Sequence, residues 1–264
     1  MNLDLIGKKA FVCGSSQGIG RAAAIELALL GANVTLIARN EPRLKTVQEV
    51  LDTSRGQEHD FILADFNDPQ NLQDQIIQYG QNHNLHEAHI LINNTGGPPG
   101  GNILHADEEE FKQAFSNHLI CNHLLVQTLV PLMKQAQYGR IINIISTSVK
   151  EPLAGLGVSN TTRWAVAAWA KTLATELGSF GITVNNVLPG YTRTVRLESI
   201  VDDRARKSGK TIEEIEQEFI QTIPAGRFGD AKEVGAAIAF LASPAAAYIN
   251  GINLPVDGGR TKSL

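Results

Sequence analysis

The chain lacks the marks of several protein classes. Only two of its 264 residues are cysteines, Cys13 and Cys121. Two thiols cannot build the disulfide framework of a small secreted domain. Both lie in apolar stretches and are expected as buried, reduced thiols, with the cytoplasm as compartment. No apolar run reaches the roughly 18 residues that a membrane-spanning helix needs, so no membrane partner is expected. The opening Met1-Asn2-Leu3-Asp4-Leu5 is too short and too acidic for a signal peptide. Basic residues are not in excess: 23 Lys and Arg face 27 Asp and Glu, for a formal charge of -4. No basic run is interleaved with aromatics, so an electrostatic footprint for nucleic acid is missing. Internal repeats and linker-like stretches are also absent, and residues 1–264 read as one domain.

What the chain does have is alternation. Short apolar runs at 9–13, 33–38, 60–63, 90–93, 140–145, 183–188 and 252–256 are separated by longer amphipathic segments, clearest at 19–30, 107–135, 163–178 and 230–242. Continuous apolar strands between helices imply a parallel sheet covered on both faces. Right-handed crossovers then give a Rossmann-type doubly wound α/β fold of about seven strands. Three helix starts carry reciprocal capping pairs, Asp107 with Glu110, Thr211 with Glu214 and Asp230 with Glu233. Residues 192–223 form a long insertion after the sixth strand, in which Ile212, Ile215, Phe219 and Ile223 recur at helical spacing and are expected to pack inward.

The first strand runs into Gly14-Ser15-Ser16-Gln17-Gly18-Ile19-Gly20 and then a helix. The spacing is G-x-x-x-G-x-G. Gly14 permits a tight turn, Gly18 lets backbone approach a pyrophosphate, and Gly20 lets helix and strand pack closely. The helix start then offers free N–H groups and a positive dipole end to phosphates. A lone glycine pattern is weak, but this one sits between strand and helix in a βαβ unit. The second strand ends Ala38-Arg39-Asn40, without the carboxylate that would bind the ribose 2′-hydroxyl of NAD(H). A guanidinium suits a 2′-phosphate, so NADP(H) is expected over NAD(H). The run Gly96-Gly97-Pro98-Pro99-Gly100-Gly101 follows the fourth strand, where open α/β sheets bind ligands, and reads as backbone approached closely by a ligand.

Taken with that turn, the chain resembles the short-chain dehydrogenase/reductase family over nearly its whole length, and 3-oxoacyl-ACP-reductase-like members in particular. Asp65-Phe66 resembles the family's adenine-contacting pair. Asn93-Asn94-Thr95-Gly96 is similar to its N-N-A-G motif. Asn117 matches the asparagine of its catalytic tetrad, and Gly139 to Ser146 resembles the strand that delivers the catalytic serine, Ser146. Pro189-Gly190-Tyr191-Thr192-Arg193-Thr194 matches the loop that holds the nicotinamide, and Pro255-Val256-Asp257-Gly258-Gly259 resembles the C-terminal signature. The resemblance implies cofactor contacts at Gly14, Ser16, Gly18, Ile19, Gly20, Arg39, Asp65, Phe66, Asn94, Gly96, Arg163, Pro189, Gly190, Thr192 and Thr194. It also implies a small-molecule carbonyl or alcohol substrate, a segment over the substrate at 192–223, and a homotetramer with helices 107–135 and 163–178 at the interfaces.

The central Y-x-x-x-K motif of that family is missing. Where it belongs, thirteen residues after Ser146, the chain reads Ser159-Asn160-Thr161-Thr162-Arg163, and the flanking pattern continues without a gap. In the resembling family the tyrosine exchanges a proton with the carbonyl oxygen and the lysine lowers its pKa. A serine hydroxyl is a poor acid or base by itself, and an arginine does not deprotonate. Asn117, Ser146, Ser159 and Arg163 are therefore the candidate catalytic set of an altered site, and a cofactor-binding sensor or assembly subunit is the alternative to an enzyme. Of the remaining tyrosines only Tyr191 is expected near the nicotinamide, as an aromatic wall of the pocket. Lys150 reads as a solvated loop lysine. His83, His86 and His89 straddle a loop and a strand start, with no cysteine or paired carboxylate to complete a metal set. His118, next to Asn117, is expected at a surface or interface.

Overall fold

The computed structural model describes residues 1–263. Seven strands form one sheet: β1 Lys9–Cys13, β2 Asn33–Ala38, β3 Asp60–Leu63, β4 Ile90–Asn93, β5 Gly139–Ile144, β6 Ile182–Pro189 and β7 Asn253–Val256. Every neighbouring pair is parallel, and the order is β3-β2-β1-β4-β5-β6-β7. The order reverses between β1 and β4, which opens a crevice at the carboxyl ends of the strands.

Both faces are covered, as the near-continuous apolar strands require. On one face lie α1 Gly18–Leu29, α2 Glu41–Gln48 and α9 Ala231–Ala242, burying Leu27, Leu44 and Ile238 against Val12, Leu36 and Ile92. On the other lie α3 Pro69–Asn82, α5 Cys121–Gln135 and α6 Gly157–Leu177, burying Leu72, Leu125 and Leu177 against Phe11, Ile37 and Leu91. Cys13 and Cys121 are free, buried thiols in this second core. Burial pushes the Cys121 thiol up to about 12. α4 Glu108–Phe115 precedes α5, and α7 Val195–Ser208 and α8 Ile212–Gln221 follow β6. The starts of α4, α8 and α9 all carry the capping boxes expected of them. Among the described residues, no helix is long and apolar enough to cross a membrane.

The structure departs from the sequence reading in three places. The segment 107–135 is not one regular helix: residues Ser116–Ile120 form a π-helical stretch between α4 and α5. α6 begins six residues earlier than position 163, so Ser159 and Arg163 share one helix. In the segment after β6, Ile215, Phe219 and Ile223 are buried with Leu197 and Val201 of α7, but Ile212 is 48% exposed. Ile212 is the first residue of α8, immediately after its Thr211 cap, so it lies beyond the apolar face that α7 offers.

A row of amides crosses the sheet beneath the crevice. Asn93 Nδ2 donates to Asn143 Oδ1 (2.8 Å), Asn143 Nδ2 to Asn186 Oδ1 (2.9 Å), and Asn186 Nδ2 to Asn253 Oδ1 (2.8 Å). The four residues are in register on β4, β5, β6 and β7. Each strand supplies the next one's acceptor, while Asn93 Oδ1 at the head of the row is buried without a hydrogen-bond partner.

Candidate active site

A cleft of about 710 Å³ opens at the strand-order reversal. Every residue that the sequence reading names as catalytic or cofactor-contacting lines it, with the exception of Gly20, whereas of the run 96–101 only Gly96 and Gly97 do. Gly20 sits behind the turn: a Cβ there would stand 2.3 Å from the Gly14 carbonyl oxygen. Gly14 and Gly18 both take φ of +58°, a region L side chains rarely adopt. A Cβ on Gly14 would also meet the Asn94 carbonyl at 2.6 Å, whereas Gly18 has only Thr194 Cγ2 nearby, at 3.4 Å. Ser15 Oγ accepts from the Ile37 N–H (3.0 Å) and so fastens the turn to β2. No side chain caps the start of α1. Its first N–H groups and its positive dipole end are thus available to an anion in the cleft.

At the β2 end two guanidiniums face the cleft. Arg39 pairs with Asp65 (3.6 Å), and both side chains are well exposed. The second is Arg43, which the sequence reading missed. Asn40 caps α2 by accepting from the Arg43 N–H (3.0 Å), and Arg43 Nη1 donates to Gln17 Oε1 of the glycine turn (2.6 Å). The Asn40-Glu41-Pro42 start signal could have located this residue, because a cap at 40 puts position 43 in the first turn, where it can point back toward β1. Phe66 and Asn67 line the cleft beyond Asp65.

At the other end Asn94 Nδ2 reaches the carbonyls of Cys13 and Gly14 (both 3.3 Å), joining β4 to the turn. Ser146 follows β5, its Oγ accepting from the Ser148 N–H (3.0 Å). Ser159 and Arg163 lie one turn apart on α6 and both face the cleft. Arg163 is buried, with Nη1 donating to the Ile144 carbonyl (2.9 Å). Burial, reinforced by the like charge of Arg196, brings its pKa down to about 10. Lys150 is half-buried and outside the cleft lining, not a solvated loop side chain.

The π-helical stretch turns Asn117 and His118 in directions that a regular helix would not give them. The Asn117 amide donates to Asn67 Oδ1 (3.0 Å) and accepts from Gln113 Nε2 (2.8 Å). It therefore reaches toward the neighbours of Phe66, with no bond to Ser146, Ser159 or Arg163. His118, expected at a surface or interface, is buried within the chain, and its Nδ1 is bonded to Thr95 Oγ1. Burial, then the charges of Arg163 and Arg196, hold its pKa well below that of a free histidine, so it is neutral around pH 7. Thr95 lines the cleft.

The loop after β6 closes the site. Gly190 passes so near Asp257 that a Cβ would stand 2.6 Å from the aspartate's own. Thr194 caps α7, its Oγ1 accepting from Leu197 N–H (3.4 Å). Tyr191 stacks flat on Phe219 at 4.5 Å and lies edge-on to Phe228. It forms an aromatic wall whose ring is held by the α7–α8 unit. Gly96 and Gly97 also line the cleft, while Gly101 is bonded to Gly155 and Gly157 in front of α6. His83 and His89 serve other elements: His83 stacks on Tyr79 at 4.1 Å, and buried His89 accepts from the Lys9 N–H (3.1 Å).

These residues fit a dinucleotide. The glycine turn leaves room that a Cβ would fill, α1 offers uncapped amides, and cations stand at the β2 end. A family model described as enoyl-(acyl carrier protein) reductase matches residues 14–261. The NADPH-dependent reductase BacG of Bacillus subtilis is 30% identical over 257 residues, 97% of this chain and 99% of that protein. The 3-oxoacyl-[acyl-carrier-protein] reductase FabG of Haemophilus influenzae is 32% identical over 256 residues, 96% of this chain and 98% of that one. Among solved structures, L-sorbose reductase from Gluconobacter frateurii, complexed with NADPH and L-sorbose, superposes with a TM-score of 0.92 at 29% identity, and all of both chains is covered. A cleft at the sheet reversal, a glycine turn under it and full-length likeness to these reductases agree: the chain belongs to the short-chain dehydrogenase/reductase family of oxidoreductases.

Proposed function

We propose that this protein is a cytoplasmic NADP(H)-dependent reductase that interconverts a carbonyl and an alcohol through an altered active site. The observation that carries this reading is the pair of guanidiniums, Arg39 and Arg43, at one end of a cleft whose other end holds Ser146, Ser159 and Arg163. Bound nicotinamide supplies the hydride, and the protein supplies position and polarity. Backbone at Gly14, Ser16, Gly18 and Ile19 receives the pyrophosphate, with Gly20 keeping the turn tight. Arg39 and Arg43 receive the 2′-phosphate, and Asp65 and Phe66 flank the adenine. Asn94, Gly96, Pro189, Gly190, Thr192 and Thr194 frame the nicotinamide half, and Arg163 donates to its ribose. Ser146 Oγ, the Ser159 hydroxyl and the Thr95 hydroxyl, the last held by His118, orient the carbonyl. Asn117, engaged by Asn67 and Gln113, positions the π-helical stretch. Serine, threonine and arginine do not titrate near pH 7, so water is the proton source and turnover is slow.

One observation favours a second reading. Tyr191, the only tyrosine among the described residues lining the cleft, is stacked on Phe219 and does not replace the missing acid. A cofactor-binding sensor or assembly subunit would be built this way. One experiment separates the two: NADPH and NADH titrations alongside NADPH consumption with a broad carbonyl panel. We expect NADPH to bind at least about tenfold more tightly, the value of one charge-assisted contact. Arg39→Ala with Arg43→Ala should erase that preference. Turnover of at least one carbonyl above background supports the reductase. Tight NADPH binding with none turned over selects the second reading, and equal affinity for both cofactors rejects the roles of Arg39 and Arg43.

We propose further that the protein works as a homotetramer. Ile120, at the end of the π-helical stretch, and Trp164 on α6 are 45% and 49% exposed, on the helices that the family resemblance places at interfaces. Sedimentation as a monomer at micromolar concentration would refute this.

A further inference from the structure

The nicotinamide end of the cleft holds more positive charge than the proposed cofactor uses. Three guanidiniums line it: Arg163 from α6, Arg196 from the first turn of α7, and Arg260 from the segment after β7. None of the three is in an ion pair with a described residue; each is held by other means. Arg163 rests on the Ile144 carbonyl. Arg196 donates to the Pro98 carbonyl (2.7 Å), bridging α7 to the glycine-rich loop after β4 across the mouth of the cleft. Arg260 lies over the Tyr191 ring, 4.6 Å from its centre, and its Nε is buried without a hydrogen-bond partner. A buried N–H donor left without an acceptor is costly, and a site that keeps one is arranged for an acceptor that arrives.

Among the described residues, no carboxylate pairs with these three guanidiniums. Among the described residues lining the cleft the sole acid is Asp65, which stands at the opposite end against Arg39. His118, neutral, adds nothing of either sign. The anionic groups of the proposed cofactor already have receivers elsewhere, the pyrophosphate at the start of α1 and the 2′-phosphate at Arg39 and Arg43. A cleft lined by one sign of charge concentrates ligands of the other. Guanidinium matches the planar, two-oxygen geometry of a carboxylate.

We propose that the substrate is an oxo acid, a carbonyl compound whose carboxylate is held by Arg196 and Arg260 while its carbonyl lies toward Ser146. This rests on the reductase reading and names its substrate class. Arg196 comes from the α7–α8 unit and reaches the β4 loop, so a carboxylate bound to it also ties those two walls together. A neutral ester of the same skeleton loses that contact and leaves the guanidiniums unpaired.

The test uses the full chain with NADPH and a series of oxo acids of increasing length, from pyruvate through acetoacetate and 4-oxopentanoate to 5-oxohexanoate, each beside its methyl ester. At least one acid should show a KM ten- to a hundredfold below that of its ester, the range of a charge-assisted hydrogen bond. In Arg196→Met and in Arg260→Met the ratio should fall toward one, and Arg196→Lys should keep part of it. The dissociation constant for NADPH should stay within about twofold in each. Equal KM for acids and esters would overturn the proposal. So would a large loss of NADPH affinity in Arg196→Met, which would make that residue a cofactor ligand. If the chain turns over nothing, the reductase reading fails separately, and calorimetry of 4-oxopentanoate with the protein–NADP complex still decides this one. Binding lost in Arg196→Met supports the carboxylate site, and no binding to the unaltered protein refutes it.

Discussion

Replacing Ser159 with tyrosine and Arg163 with lysine together should raise the rate of reduction of an activated neutral ketone such as trifluoroacetophenone on the order of 10²–10⁴-fold, the usual contribution of a positioned acid–base group. That corresponds to about 3–5 kcal/mol of barrier. The geometry supports the attempt. Positions 159 and 163 lie one turn apart on α6 and face the same cleft. Ser159 is half-buried, and no hydrogen bond from its side chain is given up by the change. Lysine at 163 would enter a buried position next to Arg196, where desolvation and like charge lower its own pKa, while its ammonium charge lowers that of a neighbouring phenol. The informative comparison is single-turnover rate against NADPH affinity, measured on the same preparations. A gain in rate in a variant that still binds NADPH shows that the cleft is competent and only the proton donor was lost. A folded variant that binds NADPH yet gains nothing, with its phenol turned out of the cleft in a crystal structure, removes these two positions from the active site.

The second large effect is expected at the glycine turn. Gly18→Val should raise the NADPH dissociation constant at least about a hundredfold, equivalent to losing one or two charge-assisted contacts of about 1.5–3 kcal/mol each. Valine must enter a φ of +58°, where a β-branched residue is a genuine outlier, and its methyl groups would press on Thr194 and into the path proposed for the pyrophosphate. The environment is open enough for the fold to survive: the nearest neighbour of a Cβ at 18 is a threonine methyl at 3.4 Å. Gly20→Val should fail in a different way. Its Cβ would stand 2.3 Å from the Gly14 carbonyl and 2.7 Å from Asn94 Nδ2, so the loss there appears as a lowered melting temperature. Circular dichroism and fluorescence titration of both variants separate the two roles. Undiminished NADPH affinity in a folded Gly18→Val protein would place the cofactor elsewhere.

Much of this architecture was legible in the chain, for identifiable reasons. A buried parallel strand must be apolar on both faces, so Ile90–Asn93 and the other strands announce themselves as short continuous runs. A helix whose first amides are satisfied reciprocally needs a fixed pair of residues three apart, so Thr211 with Glu214 can be read directly. Other features have no such code. The π-helical stretch at Ser116–Ile120 differs from an α-helix only in which carbonyl each N–H meets, and nothing in Ser116-Asn117-His118 signals that choice. The directions of Asn117 and His118 were therefore out of reach. Arg43 lies five residues past the end of β2; the Asn40 cap places it in the first turn of α2, but its reach to Gln17 depends on the angle at which α2 leaves the sheet. Ile212 keeps perfect helical spacing with Ile215, yet the spacing does not say where the opposing helix stops. Periodicity thus identifies faces and elements, whereas the aim of a single side chain is set by tertiary packing.

The amide row under the cleft has a handedness of its own. Asn93, Asn143 and Asn186 all point their nitrogen toward β7, so neither Asn143 nor Asn186 can be turned over without setting oxygen against oxygen on one side and nitrogen against nitrogen on the other. Tolerance of an aspartate, whether by mutation or by slow hydrolytic ageing, must then fall off in one direction. At Asn253 a carboxylate simply accepts what the amide oxygen accepted, and nothing else moves. At Asn186 it confronts the oxygen of Asn253, which has to rotate. At Asn143 two downstream amides must rotate, and at Asn93 all three. The same chemical change thus grows more disruptive strand by strand from β7 to β4, on a gradient that runs toward the glycine turn.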